Sequence, residues 1–212
     1  HEGRVLMNLG RAQVAEKALV RAVQIGITHD MHAVAAEAAA IRIYVIGETL
    51  GRRAEALNSA PFAEALVERA RDSRLDALLF NNLGLMHNRD DLPTAARYFE
   101  RAIEVIRLRP GPLEPLIAAT YHNLGNLLIE QEDLKGARVH YQQSVDQFSS
   151  LLGASHPLIA HPLAGLGDIS LRSGRPDEAI PTYLRALGLM EGAYGTRHPY
   201  LTIVLSGLGR AQ

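Results

Sequence analysis

Three histidines in this chain stand directly before prolines: His156-Pro157, His161-Pro162 and His198-Pro199. Two of them fall in matching stretches, LGASHPLIAHPLAGLG from Leu152 and YGTRHPYLTIVLSGLG from Tyr194. Imidazoles beside rigid residues are suited to ligate a metal or to move a proton. The bland reading is that the His-Pro pairs punctuate helices, because proline is favoured in a first helical turn, where its missing N–H would be unpaired anyway. In that case Ser155 or His156 supplies the capping region.

The other chemistry-bearing residues are sparser. His29 and His32 flank Asp30 in HDMH, a weak metal pattern at a helix start in which Asp30 suits an N-cap equally well. GLGDIS at Gly165 to Ser170 follows no strand and lacks the third glycine of a dinucleotide fingerprint. Glu130, Glu132 and Asp133 sit where one helix ends and another begins, and acids are favoured at a helix N-terminus by its dipole. Arg97 and Arg101 interleave with Glu100 and Glu104 as a solvated face. Ser149, Ser150 and Ser155 have no partnering His and Asp at fitting positions. The expectation is a chain with no catalytic set, no metal and no cofactor.

Internal periodicity decides between punctuation and site. Gly111, Gly153 and Gly195 are spaced by 42, as are Pro115, Pro157 and Pro199. The same offset joins Leu124-Gly125, Leu166-Gly167 and Leu208-Gly209. Ala95, Ala137 and Ala179 align, then Phe99, Tyr141 and Tyr183, then Ala102, Ser144 and Ala186. Within this register His156 and His198 align with Glu114, whereas His161 aligns with Ala119 and Ile203. The prolines persist and the histidines do not, so the His-Pro pairs read as boundaries.

Each unit reads as two antiparallel helices. Leu116, Ile117, Leu124, Leu127 and Leu128 recur at helical spacing over about 115–130, EQEDLKG supplies a turn, and Ala137, Tyr141 and Val145 mark a second helix. The preceding unit, FNNLGLMHNRDDLPTAARYFERAIEVIRL, is the same with one residue fewer in its turn. A pair over about 31–71 is weaker, with Gly51 in the turn and Pro61 inside the second helix, where a kink is expected. The chain opens on what reads as a second helix, about Arg11 to Ile25, and closes on a first helix from Pro199 to Gln212.

Composition agrees with an all-helical chain: 47% of the 212 residues are hydrophobic, but only 5% are aromatic and there is no Trp. With 22 basic and 23 acidic residues there is no basic footprint for nucleic acid. The absence of cysteine excludes disulfides, thiolate zinc and a cysteine nucleophile. The alanine-rich AVAAEAAAIRIYVIG carries Glu37 and Arg42 and does not read as a membrane span. No signal peptide is recognisable, and the expected location is cytoplasmic.

YHNLGNLL followed by GARVHYQQS, and LAGLGDIS followed by EAIPTYLRA, resemble the tetratricopeptide repeat. The period and the Gly-x-x-His-Pro linker resemble its kinesin-light-chain type, also found in bacterial multidomain signalling proteins. The resemblance implies an all-α, right-handed α-α superhelix of antiparallel helix pairs over residues 1–212. About four pairs are expected with a half repeat at each end, the clearest spanning 73–112, 113–154 and 155–196. The apolar final helix, with Leu201, Ile203, Val204 and Leu208, is unlike a polar cap, so flanking domains are expected beyond the 212 residues.

Family likeness also implies where a partner binds. First helices line a concave groove, placing Asn81 and Leu85 in one repeat, His122, Asn126, Ile129 and Glu130 in the next, and His161, Asp168, Leu171 and Arg172 in the third. Asn82 and Asn123, just before each Leu-Gly, match the Asn that in relatives bonds a ligand backbone; Gly165 breaks the series. The alternative for these Asn residues is a bond to a neighbouring helix. Relatives that clamp a carboxylate use a Lys where this chain has Asn81, His122 and Ala164. The resemblance thus implies a non-enzymatic scaffold for a protein or peptide partner, or a regulatory region C-terminal to a bacterial Ser/Thr kinase.

Overall fold

A computed structural model describes residues 11–108 and 115–212; Gly111 and Glu114, used in the repeat register, lie outside them. Among the described residues every regular element is helical. The chain divides into two compact units, His1–Gly111 and Pro112–Gln212.

The first unit holds α1 (Ala12–Thr28), α2 (His32–Tyr44), α3 (Arg53–Ala70), α4 (Ser73–His87) and α5 (Leu92–Leu108). Successive helices pack as antiparallel neighbours, and α2 also touches α4. Leu19 and Val23 of α1, Ile43 and Ile46 at the end of α2, Val67 of α3 and Leu75, Leu79 and Leu83 of α4 build its core. Asp72 caps α4 by accepting from the Arg74 amide at 2.9 Å. At the other candidate cap the expectation fails: Asp30 adopts a φ of 55° and Met31 stands at the N-cap of α2 without a side-chain bond. The Asp30 carboxylate faces Arg69 instead, at 3.7 Å.

The weak pair is irregular in its first helix. Helix α3 runs unbroken through Pro61. The departure lies in α2, which ends in a π-turn over Val45–Thr49. Arg53 secures this junction by donating to Glu48, to the Met86 carbonyl of α4 and to Asn88 just beyond that helix.

The second unit holds α6 (Pro115–Glu130), α7 (Leu134–Leu152), a 3-10 turn (Pro157–Ile159), α8 (Ala160–Arg172), α9 (Pro176–Tyr194) and α10 (Leu201–Ala211). Asp133 caps α7, accepting from the Gly136 amide at 2.9 Å. Gly153 and Gly195 close α7 and α9 with φ of 89° and 79°, which explains why glycine recurs at this step. His156 Nδ1 then accepts from the Leu158 amide, and His198 Nδ1 from the Tyr200 amide, each at 3.3 Å. The His-Pro pairs therefore shape the entry to a first helix, through a short turn that the periodicity had merged with the helix itself.

Candidate functional site

One aromatic residue in each of α5, α7 and α9 organises the packing around it. A Cβ at Gly125 would stand 2.7 Å from the Tyr141 ring, and one at Gly165 would stand 2.5 Å from the same ring. Tyr141 is thus held between α6 of its own pair and α8 of the next. Tyr183 repeats the arrangement between Gly167 and Gly207, and Phe99 lies against Gly84 in the first unit. In the Leu-Gly pairs at Gly84, Gly125 and Gly167 the glycine receives an aromatic ring.

The two tyrosines also reach polar atoms on the first helices. Tyr141 Oη donates to Asn126 Oδ1, and Tyr183 Oη donates to Asp168 Oδ1, both at 2.6 Å. Arg210 donates to the same Asp168 oxygen at 2.6 Å. Asn126, Asp168 and Arg210 are spaced by 42, so one position of the repeat presents an amide, a carboxylate and a guanidinium in turn. Sequence reading named the first two and missed Arg210, which the offset itself points to.

His122 completes the cluster. With Asn126 Oδ1 engaged by Tyr141, the Asn126 amide nitrogen is left to donate to His122 Nε2, 3.2 Å away. The neutral imidazole then carries its proton on Nδ1, which is buried and has no hydrogen-bond partner among the described residues. The His122 ring lies 5.6 Å from Tyr141 and 6.1 Å from His161 of α8. Burial, and secondarily the neighbouring His161, lowers the His122 pKa to about 4. Burial also lowers that of His161. Both imidazoles are neutral groups of a polar cluster at ordinary pH.

The remaining candidates divide. Asn126, Glu130 and Arg172 are exposed, and His122, Asn123, His161 and Asp168 are half-buried, so α6 and α8 carry an accessible polar row. Leu171 is half-buried, but Ile129 belongs to the core with Ala137, Tyr141 and Ile169. In the first unit Asn81 and Asn82 of α4 are buried. Asn82 Nδ2 donates to the Ala40 carbonyl of α2 at 2.9 Å, and Asn81 Nδ2 lies 3.3 Å from Asn82 Oδ1. Asn82 joins two first helices, whereas Leu85 is a half-buried neighbour of the core. Among the described residues no three His, Asp or Glu side chains converge as a metal set. None of the described helices is long and apolar enough to cross a membrane.

These arrangements have counterparts in known proteins. No curated protein sequence matches the chain. The solved structure of BtubC (BKLC) from P. vanneervenii matches with a TM-score of 0.78, over 94% of this chain and 82% of that one, at 18% identity. A Podosopora anserina protein whose name refers to kinesin light chain and nearly identical TPR-like repeats matches with a TM-score of 0.65. That match spans 92% of this chain and 93% of the other, at 15% identity. At such identities the likeness is one of fold. The sequence profile described as tetratricopeptide repeat matches residues 74–150 and 116–191, together more than half of the chain. With its glycine-seated aromatics, its 42-residue spacing and this match, the chain belongs to the tetratricopeptide repeat family, and its fold is like that of the two structures.

Proposed function

We propose that this protein is an interaction scaffold that receives a peptide segment of a partner protein along α6 and α8 of its second unit. The fold supports a protein-binding role in general. The observation that carries the narrower reading is the polar row itself: exposed Asn126, Glu130 and Arg172 beside half-buried His122, Asn123, His161 and Asp168. An extended peptide has an N–H and a C=O at each residue, and amide side chains can both donate to and accept from it. Tyr141 fixes Asn126, and Tyr183 with Arg210 fixes Asp168, so these groups would be ordered before a ligand arrives. Mixed charge from Glu130, Asp168 and Arg172 favours a segment of no strong net charge.

The test is a peptide-array screen with the native protein and an Asn123→Ala, Asn126→Ala, Arg172→Ala variant whose thermal melt is recorded alongside. Peptides of the reading's kind bind the native protein and lose at least roughly tenfold in affinity on the variant. Peptides that bind both equally well place the recognition surface elsewhere.

A further inference from the structure

Two grooves among the described residues are built alike, each lined by a first helix and by the second helices before and after it. In the second unit α7, α8 and α9 line one of about 610 Å3, and in the first unit α1, α2 and α3 line one of about 300 Å3. The groove of the second unit has further helices packed on either side, α6 against α7 and α10 against α9, and is open all the same. A groove at this place therefore belongs to the repeat and is not left by an end of the sequence.

The lining residues correspond position by position. Buried and half-buried positions run in the same order from Ala35 to Ile43 and from Ile159 to Gly167, which pairs Ala39 with Leu163 and Arg42 with Leu166. The buried triads Ala56-Ala60-Ala63 and Ala179-Tyr183-Ala186 pair Ser59 with Thr182 and Phe62 with Arg185. Ala15-Leu19-Val23 and Ala137-Tyr141-Val145 likewise pair Val20 with Gln142. In the second unit the first helix contributes two leucines, and the flanking helices contribute Gln142, Thr182 and Arg185, an ordinary solvated surface over an apolar base. In the first unit the polarity is exchanged: the first helix contributes Arg42, while Val20, Ile27 and Phe62 of the flanking helices are 36%, 47% and 51% exposed. Large apolar side chains gathered around one concavity mark a binding surface more than scattered ones do.

Arg42 specifies what would bind. Its Nε is buried and has no hydrogen-bond partner among the described residues. Its Nη2 lies 3.9 Å from Glu16 and 3.7 Å from Glu55, beyond hydrogen-bond length, and Arg52 engages the same two carboxylates. Arg42 and Arg52 thus balance Glu16 and Glu55, so an anion entering here meets two carboxylates and a cation meets the guanidinium. An uncharged acceptor oxygen suits the buried Nε–H, whose unmet bond is costly. The volume sets the size of the remainder. An apolar cavity of roughly 150 Å3 holds a benzene ring, so twice that space suits a body of about two rings.

We propose that the groove of α1, α2 and α3 binds a small uncharged ligand, with an apolar body of about two rings against Val20, Ile27 and Phe62 and a carbonyl oxygen that accepts from Arg42 Nε. The site lies in the other unit from the polar row of α6 and α8 and does not depend on it.

The experiment titrates the 212-residue protein into prodan, an uncharged two-ring ketone whose emission moves to the blue when it leaves water. Saturable, blue-shifted binding is expected. A Val20→Gln, Phe62→Arg protein copies the second unit at two exposed positions, so its melt should be unchanged while its affinity falls at least roughly tenfold. An analogue with propyl in place of the propionyl group keeps the size and loses the carbonyl. It should bind the native protein roughly three- to tenfold more weakly than prodan does. An Arg42→Leu protein, which copies Leu166, should bind the two compounds alike. An Asn126→Ala, Arg172→Ala protein should bind prodan as the native one does. Absence of saturable binding, binding undiminished in the Val20→Gln, Phe62→Arg protein, or equal affinity of the native protein for both compounds overturns the proposal. So does tighter binding of the anionic dye anilinonaphthalene sulfonate.

Discussion

Tyr141 donates its hydroxyl proton to Asn126 Oδ1 at 2.6 Å while its ring lies against Gly125 and Gly165, so one side chain packs two helix pairs and orients a surface amide. The same geometry recurs 42 residues on as Tyr183 and Asp168. In the α4–α5 pair the equivalents are Phe99 and Leu85, where neither side chain has a polar atom to satisfy. Aromatic and first-helix residue thus vary together among the repeats: hydroxyl with acceptor, or ring with leucine.

Replacing Tyr141 by Phe keeps the ring seat and deletes the hydroxyl. Stability should fall by about 0.5–1.5 kcal/mol. Asn126 should also lose its fixed orientation. A Tyr141→Phe, Asn126→Leu double variant, which copies the Phe99–Leu85 combination, should recover much of the loss. The check is a double-mutant cycle from urea unfolding midpoints, in which simple additivity would contradict the coupling.

Gly125→Ala and Gly209→Ala should have opposite signs. The first drives a methyl to within 2.7 Å of a Tyr141 ring that cannot retreat, because Gly165 backs it. Such overpacking costs about 1–3 kcal/mol. At Gly209 nothing lies within 4 Å among the described residues, and alanine should stabilise the helix by up to about 1 kcal/mol. Paired thermal melts decide it.

Acid should destabilise the second unit before the carboxylates titrate. His122 has a folded pKa of about 4, below its ordinary value of 6.5, because burial disfavours the imidazolium. The unfolded chain therefore binds the proton more readily, and the neutral-His contribution is complete above about pH 6.5. It is lost progressively as pH falls from there toward about 4, by ~1–3 kcal/mol in all. His161 shifts in the same direction and adds to the effect. A His122→Gln variant should flatten the dependence of the urea midpoint on pH across that window.

Asn82→Ala should behave as a core lesion of the first unit. It leaves the Ala40 carbonyl without its 2.9 Å donor in a buried site, and the cost should be about 1–3 kcal/mol. Asn126→Ala, at an exposed position, should cost less than about 1.5 kcal/mol. Hydrogen exchange resolved by segment should place the Asn82→Ala loss in α2 and α4.

Much of the architecture was legible without coordinates. The 42-residue offset, the Leu-Gly pairs and the small-aromatic-small triads specify helix pairs, because each marks a place where side-chain volume is constrained by a facing helix. The proline and glycine boundaries were legible too, since φ at Gly153 and Gly195 and the first-turn prolines are properties of the backbone at those residues. The π-turn at Val45–Thr49 and the left-handed Asp30 were not, because each depends on how α2 meets its neighbours.

For the candidate surface the division is sharper. The sequence alone determined which residue types stand at each first-helix position, and the offset of 42 aligned Asn126 with Asp168. Tertiary structure decided what those residues do: Asn82 turns inward to the Ala40 carbonyl, Ile129 joins the core, and Asn126 is held by Tyr141. It also decided that the seats at Gly125 and Gly167 are filled by the Tyr141 and Tyr183 rings. The reason is physical: helical periodicity assigns a side chain to a face, but only the packed neighbour determines whether that face meets a ring, a carbonyl or water.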